Sequence, residues 1–302
     1  MQGLYAYFQS EHTDLKKAEK DLLSSFQNIE LLYLWLLSLL CEIRQQAQKT
    51  IEDAKNKKLP TQKDLNPNLK FVNNRFLRAL DENKAIHSVI ENRKINWQND
   101  LDLIHKIFID IKNSQIYTDY MSNIESGLDS DKKFISMLVH EIIAEHELIQ
   151  HFFEDKNVHW TDDFFVAITG LHKSIDLFQG SSIELIPLYR DEREDIDFCV
   201  RLFEQCIRND AMLQEMISAK TVNWEVERIA QMDVLLMKMA LTEILFFENI
   251  PVKVALNEYI DISKEYSTPK SKVFINGVLD KIVLELKNTN KILKTGRGLK
   301  EN

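Results

Sequence analysis

Residues 230–245 read AQMDVLLMKMALTEIL, a stretch in which apolar side chains occupy nearly every position around a helix. A helix with a single apolar face lies at the surface of a domain, whereas a helix that is apolar on almost every side is surrounded by other elements. The segment from Arg228 to Phe247 is therefore predicted to be a central buried helix.

The residues that follow predict two further helices. Pro251 suits the first position of a helix, because that position needs no amide donor. Behind it, the spacing of one helix face is followed by Val252, Leu256, Tyr259 and Ser263. Ser267 to Pro269 separate this helix from a last one, which contains Gly277. Because glycine inside a helix costs about 1 kcal/mol relative to alanine, we predict that another backbone passes close to Gly277.

The composition favours a packed helical protein. The 302-residue chain contains only 7 glycines and 5 prolines, and 44% of its residues are hydrophobic. Such a composition is typical of a folded domain with few turns. The net charge of −9 argues against a protein that coats nucleic acid through its overall field, so that any RNA site must be local.

Cysteine usage and hydropathy indicate the compartment. Cys41, Cys199 and Cys206 lack the CxxC spacing of a zinc or redox site and fit a reducing cytoplasm. The N-terminus shows no secretory signal pattern. The most apolar run, Leu31 to Cys41, has about half of the ~20 residues needed to cross a bilayer. We therefore expect this run to be a buried helix of a cytoplasmic protein without a membrane segment.

Aromatic residues recur along the chain at nearly constant intervals. Trp97, Trp160 and Trp224 lie 63 and 64 residues apart, and a phenylalanine precedes each of them by 26 residues, at Phe71, Phe134 and Phe198. Apolar positions also agree between copies, at Ile86, Ile149 and Leu213 and at Ile90, Phe153 and Ile217. This period predicts a recurring helical unit whose aromatic anchors fill equivalent pockets. The alternative is that amphipathic helices of similar length coincide.

Three stretches carry a family likeness: AQMDVLLMKMALTEIL, IPVKVALNEYIDISKEYS at 250–267 and KSKVFINGVLDKI at 270–282. The first helix, MQGLYAYFQSE, adds a Gln-x-Leu-Tyr pattern. In these motifs the chain resembles the NusB family. The resemblance implies an all-α, NusB-like helical bundle of two subdomains with no catalytic activity. It also implies binding of boxA-type RNA of ribosomal RNA transcripts, together with the small-subunit ribosomal protein NusE, within an RNA polymerase antitermination complex.

Two departures from the family pattern are expected to matter. Family members usually begin with an arginine-rich segment, so this chain is expected to be shortened there and to bind RNA less tightly. Ordinary members are also much shorter, and the extra residues fall in the middle of this chain. We therefore predict N-terminal NusB-like helices at 1–58, an inserted set of helices with two repeat-like units at 67–192, a C-terminal NusB core at 193–287 and a frayed basic tail at 288–302.

The resemblance maps two RNA surfaces and one partner surface onto the chain. Gln2 and Tyr5 lie in the first helix, where an aromatic ring can stack an unpaired base. The second RNA surface lies at the start of the last helix, where free amides and cations favour phosphate, and comprises Lys270, Ser271, Lys272, Phe274 and Asn276. Glu227 and Asp233 map to acidic positions that face the basic ribosomal protein. The alternatives are core packing for the aromatic residues and a solvated helix face for the two acids.

No enzyme or metal signature is present in the sequence. The segment HEIIAEHELIQH at 140–151 has Ala144 where a zincin helix needs histidine. His140, Glu147 and His151 are predicted to share one helical face, exposed to solvent rather than bound to a metal. There is also no glycine-rich phosphate loop and no nucleophile elbow. We therefore expect neither catalysis nor a cofactor.

Two other functions remain open at this point. A protein-interaction scaffold of the NusB fold, with weak or no direct RNA binding, would fit the acidic balance of the chain. NusB-like domains are also attached to ribosomal RNA cytosine methyltransferases, but this chain lacks room for the α/β cofactor domain of those enzymes.

Overall fold

The structure is a computed structural model that describes residues 1–10, 14–157, 160–187, 189–221 and 230–299. Within those ranges the chain forms fifteen α-helices and no β-strand, which confirms the predicted all-α class. The helices are α1 (Gln2–Gln9), α2 (Leu15–Lys55), α3 (Gln62–Leu65), α4 (Arg75–Asp81), α5 (Lys84–Asn92), α6 (Leu101–Asn113), α7 (Gln115–Ser122), α8 (Leu128–Met137), α9 (Glu147–Lys156), α10 (Trp160–Leu177), α11 (Glu192–Arg208), α12 (Asp210–Ser218), α13 (Gln231–Phe246), α14 (Val252–Tyr266) and α15 (Ser271–Asn288).

The chain divides into two compact units. The first unit comprises Met1–Leu23 and Tyr189–Asn302, and the second comprises Ser24–Leu188. The long helix α2 therefore contributes its first residues to one unit and the remainder to the other. The predicted segment boundaries at residues 58, 67, 192 and 287 remain a proposal from the sequence.

The first unit is organised around α13. Helices α11, α12, α14 and α15 all pack against it. Its residues Leu236, Met237, Ala240 and Leu241 are fully buried, so α13 is the central helix that the sequence predicts. On α14 the predicted inner face is also observed, since Tyr259 and Ser263 are buried. That helix begins at Val252, one residue later than predicted, with Pro251 as its N-cap.

The second unit encloses the apolar run of α2. Leu32, Leu36, Leu37, Leu39 and Leu40 are each 0% exposed, as the prediction of a buried helix requires. Helix α2 is long and apolar enough to cross a membrane by length and composition alone. Core helices of globular proteins meet the same criterion, and the burial of these side chains shows that α2 serves as one.

Helix starts recur along the chain at the interval that the aromatic residues predict. Asn83 and His146, the N-caps of α5 and α9, are 63 residues apart, and Asn209, the N-cap of α12 in the first unit, follows after another 63. The six repeated apolar positions are all buried: Ile86, Ile90, Ile149, Phe153, Leu213 and Ile217. These observations support the interpretation of a recurring helical unit. Trp224, the third predicted anchor, lies outside the described residues.

The two described tryptophan anchors both bond to α2. The indole Nε1 of Trp97 donates to the hydroxyl of Ser38 at 3.1 Å, and that of Trp160 donates to the carbonyl of Asn28 at 3.0 Å. Both rings are nearly fully buried. A buried indole N–H needs such an acceptor. Helix α2 therefore supports both repeat-like segments of the predicted insertion.

The prediction for Gly277 is wrong. No atom lies within 4 Å of the position that a Cβ would take there, because this side of α15 faces away from the other helices that the structure describes. The close approach occurs instead at Gly298, where an added Cβ would lie 1.9 Å from the carbonyl oxygen of Glu248.

The expectation of a frayed tail is also wrong for residues 289–299. Thr295 donates its amide to the carbonyl of Glu248 at 3.0 Å, and residues Gly296–Leu299 form a 3₁₀ turn. The ammonium of Lys294 donates to the carbonyls of Phe247, at 2.8 Å, and Glu243, at 3.3 Å. The last carbonyls of a helix lack intrahelical partners, and a lysine that satisfies those of α13 holds the tail in place.

The stretch 140–151 is not a single helix. Residues Leu138–Ile143 form a π-helical turn, and α9 begins after it at Glu147. The predicted common face of His140, Glu147 and His151 is therefore wrong, because the helical hydrogen-bond ladder breaks between the first residue and the other two. All three side chains are exposed.

Candidate functional site

Helix α1 presents aromatic side chains on the surface of the first unit. It packs against α11 and α13, and Leu4, only 2% exposed, anchors it there. Tyr5 and Phe8 are 40% and 37% exposed, and Gln2 is also exposed. The structure therefore favours a surface position for Tyr5 over the core-packing alternative.

A buried lysine joins this aromatic surface to α13. Lys238 is 9% exposed, and its ammonium pairs with Asp210 at 2.6 Å and lies 5.3 Å from the centre of the Phe8 ring. A buried charge needs a partner, and an ammonium near an aromatic ring gains a cation–π attraction. Lys238 is not among the site residues predicted from the sequence. The one available signal was a lysine inside an otherwise apolar run.

The start of α15 carries the second predicted RNA surface. Lys270 and Lys272 are exposed, as is Asn276, whose amide donates to Asp280 at 3.0 Å. Val273, 74% exposed, lies between the basic positions and the rest of the helix. Phe274 is partly buried and packs against the core of the first unit. The accessible groups of this surface are therefore two ammonium groups and an amide, with Phe274 serving the core at least in part.

Asp233 and Ser271 are buried rather than exposed. Asp233, 5% exposed, accepts a hydrogen bond from the hydroxyl of Ser267. The Ser271 hydroxyl lies 2.9 Å from that of Ser267 and 2.8 Å from that of Thr268. This network ties α13 to the turn between α14 and α15. The long-range attraction predicted for Asp233 requires an exposed charge, so its position fits a structural role in shaping the start of α15. Glu227 lies outside the described residues.

A second buried carboxylate lies at the other end of α13. Glu243 accepts a hydrogen bond from the hydroxyl of Tyr259 at 2.8 Å. Burial raises the pKa of Glu243 above its ordinary value, while the Tyr259 hydrogen bond and the nearby Lys294 oppose that rise. Burial likewise lowers the pKa of Lys294. Lys294 holds the tail through the carbonyls of Glu243 and Phe247, and the Glu243–Tyr259 pair was not predicted from the sequence.

The two predicted RNA surfaces share one support. Both α1 and α15 pack against α13, so the exposed residues of both surfaces are fixed by the same buried helix. The side chains of these two surfaces offer stacking, hydrogen bonding and local positive charge.

Comparison with known proteins identifies the region that contains α11 to α14 and most of α15. Residues 177–284 match the model of the NusB family. The chain is 46% identical over 103 residues to the transcription antitermination protein NusB of Salinibacter ruber, a match covering 34% of this chain and 64% of that protein. It is 40% identical over 103 residues to the NusB protein of Chloroherpeton thalassium, covering 34% of this chain and 49% of the relative. No solved structure matches the chain.

The matches to the first two relatives thus span about half to two thirds of their lengths. A longer match is found with the transcription antitermination protein NusB of Clostridium kluyveri, 34% identical over 128 residues, which covers 40% of this chain and 82% of that protein. Since this alignment includes most of a complete relative, and the family model covers the helices packed around α13, the chain belongs to the NusB family.

Proposed function

We propose that the chain is a non-enzymatic transcription antitermination factor that binds boxA-type RNA of ribosomal RNA transcripts. In this proposal it acts in the cytoplasm together with the small-subunit ribosomal protein NusE, as part of an RNA polymerase antitermination complex. The single observation that supports it most is membership of the NusB family over the helices that surround α13.

The exposed residues of α1 and α15 support the RNA part of the proposal. Tyr5 offers a ring for an unpaired base, and Gln2 lies on the same short helix. Lys270 and Lys272 offer positive charge near the N-terminus of α15, where backbone amides also favour phosphate. Asn276 adds a polar group one turn further along. In this assignment Ser271, Phe274 and the buried Asp233 shape the surface from within, and Glu227 is the proposed partner-facing acid.

The test is a titration of fluorescently labelled boxA-type RNA with the full chain at several salt concentrations, with and without NusE. Tyr5→Ala should weaken binding by the roughly 1–3 kcal/mol of a base–aromatic stack. Phe165→Ala is the matched control, because that ring is also exposed, at 56%, but lies on α10 in the second unit. Equal effects of the two substitutions would contradict the assignment of Tyr5.

The lysines are tested through the salt dependence of binding. Replacement of Lys270 and Lys272 by alanine should reduce the slope of log affinity against log salt by about 0.7 for each phosphate of single-stranded RNA that a lysine no longer neutralises. Lys281→Ala, an exposed substitution further along α15, should leave the slope unchanged.

The second candidate function is a protein-interaction scaffold with the NusB fold. The net charge of −9 and the exposed Val273 beside the basic residues favour this alternative. It predicts binding of NusE without RNA. If RNA affinity is absent in the presence of NusE, and remains absent when basic residues are added before Met1, the scaffold replaces the RNA-binding proposal.

A further inference from the structure

A group of potential metal ligands lies in the second unit, whereas both predicted RNA surfaces belong to the first. The Sγ atom of Cys41, a carboxylate oxygen of Asp81 and a ring nitrogen of His87 all lie within 4.8 Å of one another. Cys41 comes from the buried part of α2, Asp81 ends α4 and His87 lies in the first turn of α5. Three different elements therefore converge on one point.

A cleft gives access to this group. Its volume is about 250 Å³, and Cys41, Glu42 and His87 contribute to its wall. Glu42 is half-buried and lies in the wall of the same cleft as Cys41 and His87, where its carboxylate offers a further oxygen.

A hydrogen bond to the backbone sets the tautomer of His87. The Nε2 atom of His87 lies 2.8 Å from the backbone carbonyl of Asp81, and since a carbonyl only accepts, Nε2 must carry the proton. The neutral ring then keeps its lone pair on Nδ1. A histidine that ligates a metal usually donates its other N–H to such a carbonyl, which fixes the tautomer and the ring orientation.

The carboxylate of Asp81 accepts two hydrogen bonds and keeps free lone pairs. Arg44 donates to Oδ2 at 2.5 Å, and Gln45 donates to Oδ1 at 2.9 Å. Two carboxylate oxygens offer about four lone-pair positions, so one remains on each oxygen, and the exposed Gln45 amide can be displaced. The Arg44 ion pair would then act as the outer support that orients a ligating carboxylate.

We propose that Cys41, Asp81 and His87 form a binding site for a zinc-type divalent cation, with Glu42 or water as the fourth ligand. Thiolate, imidazole and carboxylate are the ligands that Zn²⁺ takes in proteins, and three protein ligands with one open position are a common arrangement. Coordination requires the thiolate, so the Cys41 thiol releases its proton to solvent when the cation binds. This inference goes beyond the proposed RNA-binding function and does not rest on it.

The test uses the full chain after removal of metals with a chelator, and Co²⁺ as the spectroscopic probe. Wild-type protein should bind one Co²⁺ with a thiolate-to-cobalt charge-transfer band, and Zn²⁺ should displace it. Cys41→Ser should abolish the band, and His87→Gln should weaken binding by more than the roughly 10–100-fold typical of losing only an outer support. Cys199→Ser and His151→Gln, which change residues outside the site, are the controls and should bind as wild type does.

Circular dichroism of each variant checks that it is folded. Should Cys41→Ser prove unfolded, His87→Gln carries the test, because His87 is only half-buried. The proposal is overturned if wild-type protein gives no charge-transfer band, if Cys41→Ser keeps the band, or if folded His87→Gln binds Co²⁺ as tightly as wild type.

Discussion

Gly298 allows the tail to reach the end of α13, because a side chain there would overlap the Glu248 carbonyl at 1.9 Å. Backbone atoms cannot move aside as a flexible side chain can. Gly298→Ala should therefore detach the tail and increase hydrogen exchange of the Thr295 amide, which donates to Glu248. Overpacking of this kind costs about 1–3 kcal/mol, so the exchange rate should rise by about tenfold or more.

Gly277→Ala is the matched control for this experiment. Its Cβ would meet nothing within 4 Å, so the substitution should stabilise α15 by about 0.5–1 kcal/mol. Tail exchange should stay at the wild-type rate. A tail that exchanges equally fast in both variants would show that the steric account of Gly298 is wrong.

Glu243 should make stability depend on pH. Its folded-state pKa is raised by burial above 4.5, so its favourable contribution is complete below that value and is lost as the pH rises through the folded pKa. Glu243→Gln keeps an acceptor for Tyr259 and removes the ionisation. The difference between the melting temperature of the variant and that of wild type should therefore increase as the pH rises from about 4.5 to neutrality. Thermal denaturation followed by circular dichroism measures this difference, and parallel pH profiles would contradict it.

At the scale of elements, the two described tryptophan anchors should have similar importance. Each indole N–H donates to α2, Trp97 to Ser38 and Trp160 to Asn28. A lost hydrogen bond costs about 0.5–1.5 kcal/mol, and an acceptor left buried and unpaired adds to that cost. Trp97→Phe and Trp160→Phe should each lower the unfolding free energy by about 1–3 kcal/mol, measured by urea denaturation. A neutral effect of either would argue against equivalent anchoring.

The sequence predicts elements best where hydropathy alone decides them. Gln231–Phe246 is apolar on nearly every side, and such a helix is stable only when other helices surround it. Helix α13 is indeed central. The prediction for the tail is wrong because the tail is held by backbone carbonyls of Glu243, Phe247 and Glu248. Those hydrogen bonds join residues about fifty positions apart and leave no periodic trace in the sequence.

Candidate site residues also differ in how far their positions can be predicted from the sequence. Exposure of Tyr5 and Lys270 follows from short amphipathic patterns that the sequence displays. Burial of Asp233 does not, because it depends on the Ser267 hydroxyl supplied from beyond the end of another helix. The proposed cation site could not be predicted from the sequence for a similar reason. Cys41 is far from Asp81 and His87 along the chain, and no spacing motif connects them.

At the scale of the whole molecule, two separate sets of buried residues underlie the two units. One set surrounds α13, and the other surrounds the apolar part of α2. The family match at 177–284 includes most of the first set and little of the second. The residues that make this chain longer than its relatives therefore have a hydrophobic core of their own. Composition and length alone do not tell two such cores from one larger core.

We expect two unfolding transitions, one for each set of buried residues. Leu241→Ala removes a fully buried side chain of the first unit, and Leu37→Ala removes one of the second. Each substitution should cost about 2–5 kcal/mol and lower only the transition of its own unit, as measured by scanning calorimetry. Metal binding at the proposed site then assigns the transitions, since added Co²⁺ should raise only the one that Leu37→Ala lowers. A single transition shifted equally by both substitutions would mean that the units unfold as one cooperative body.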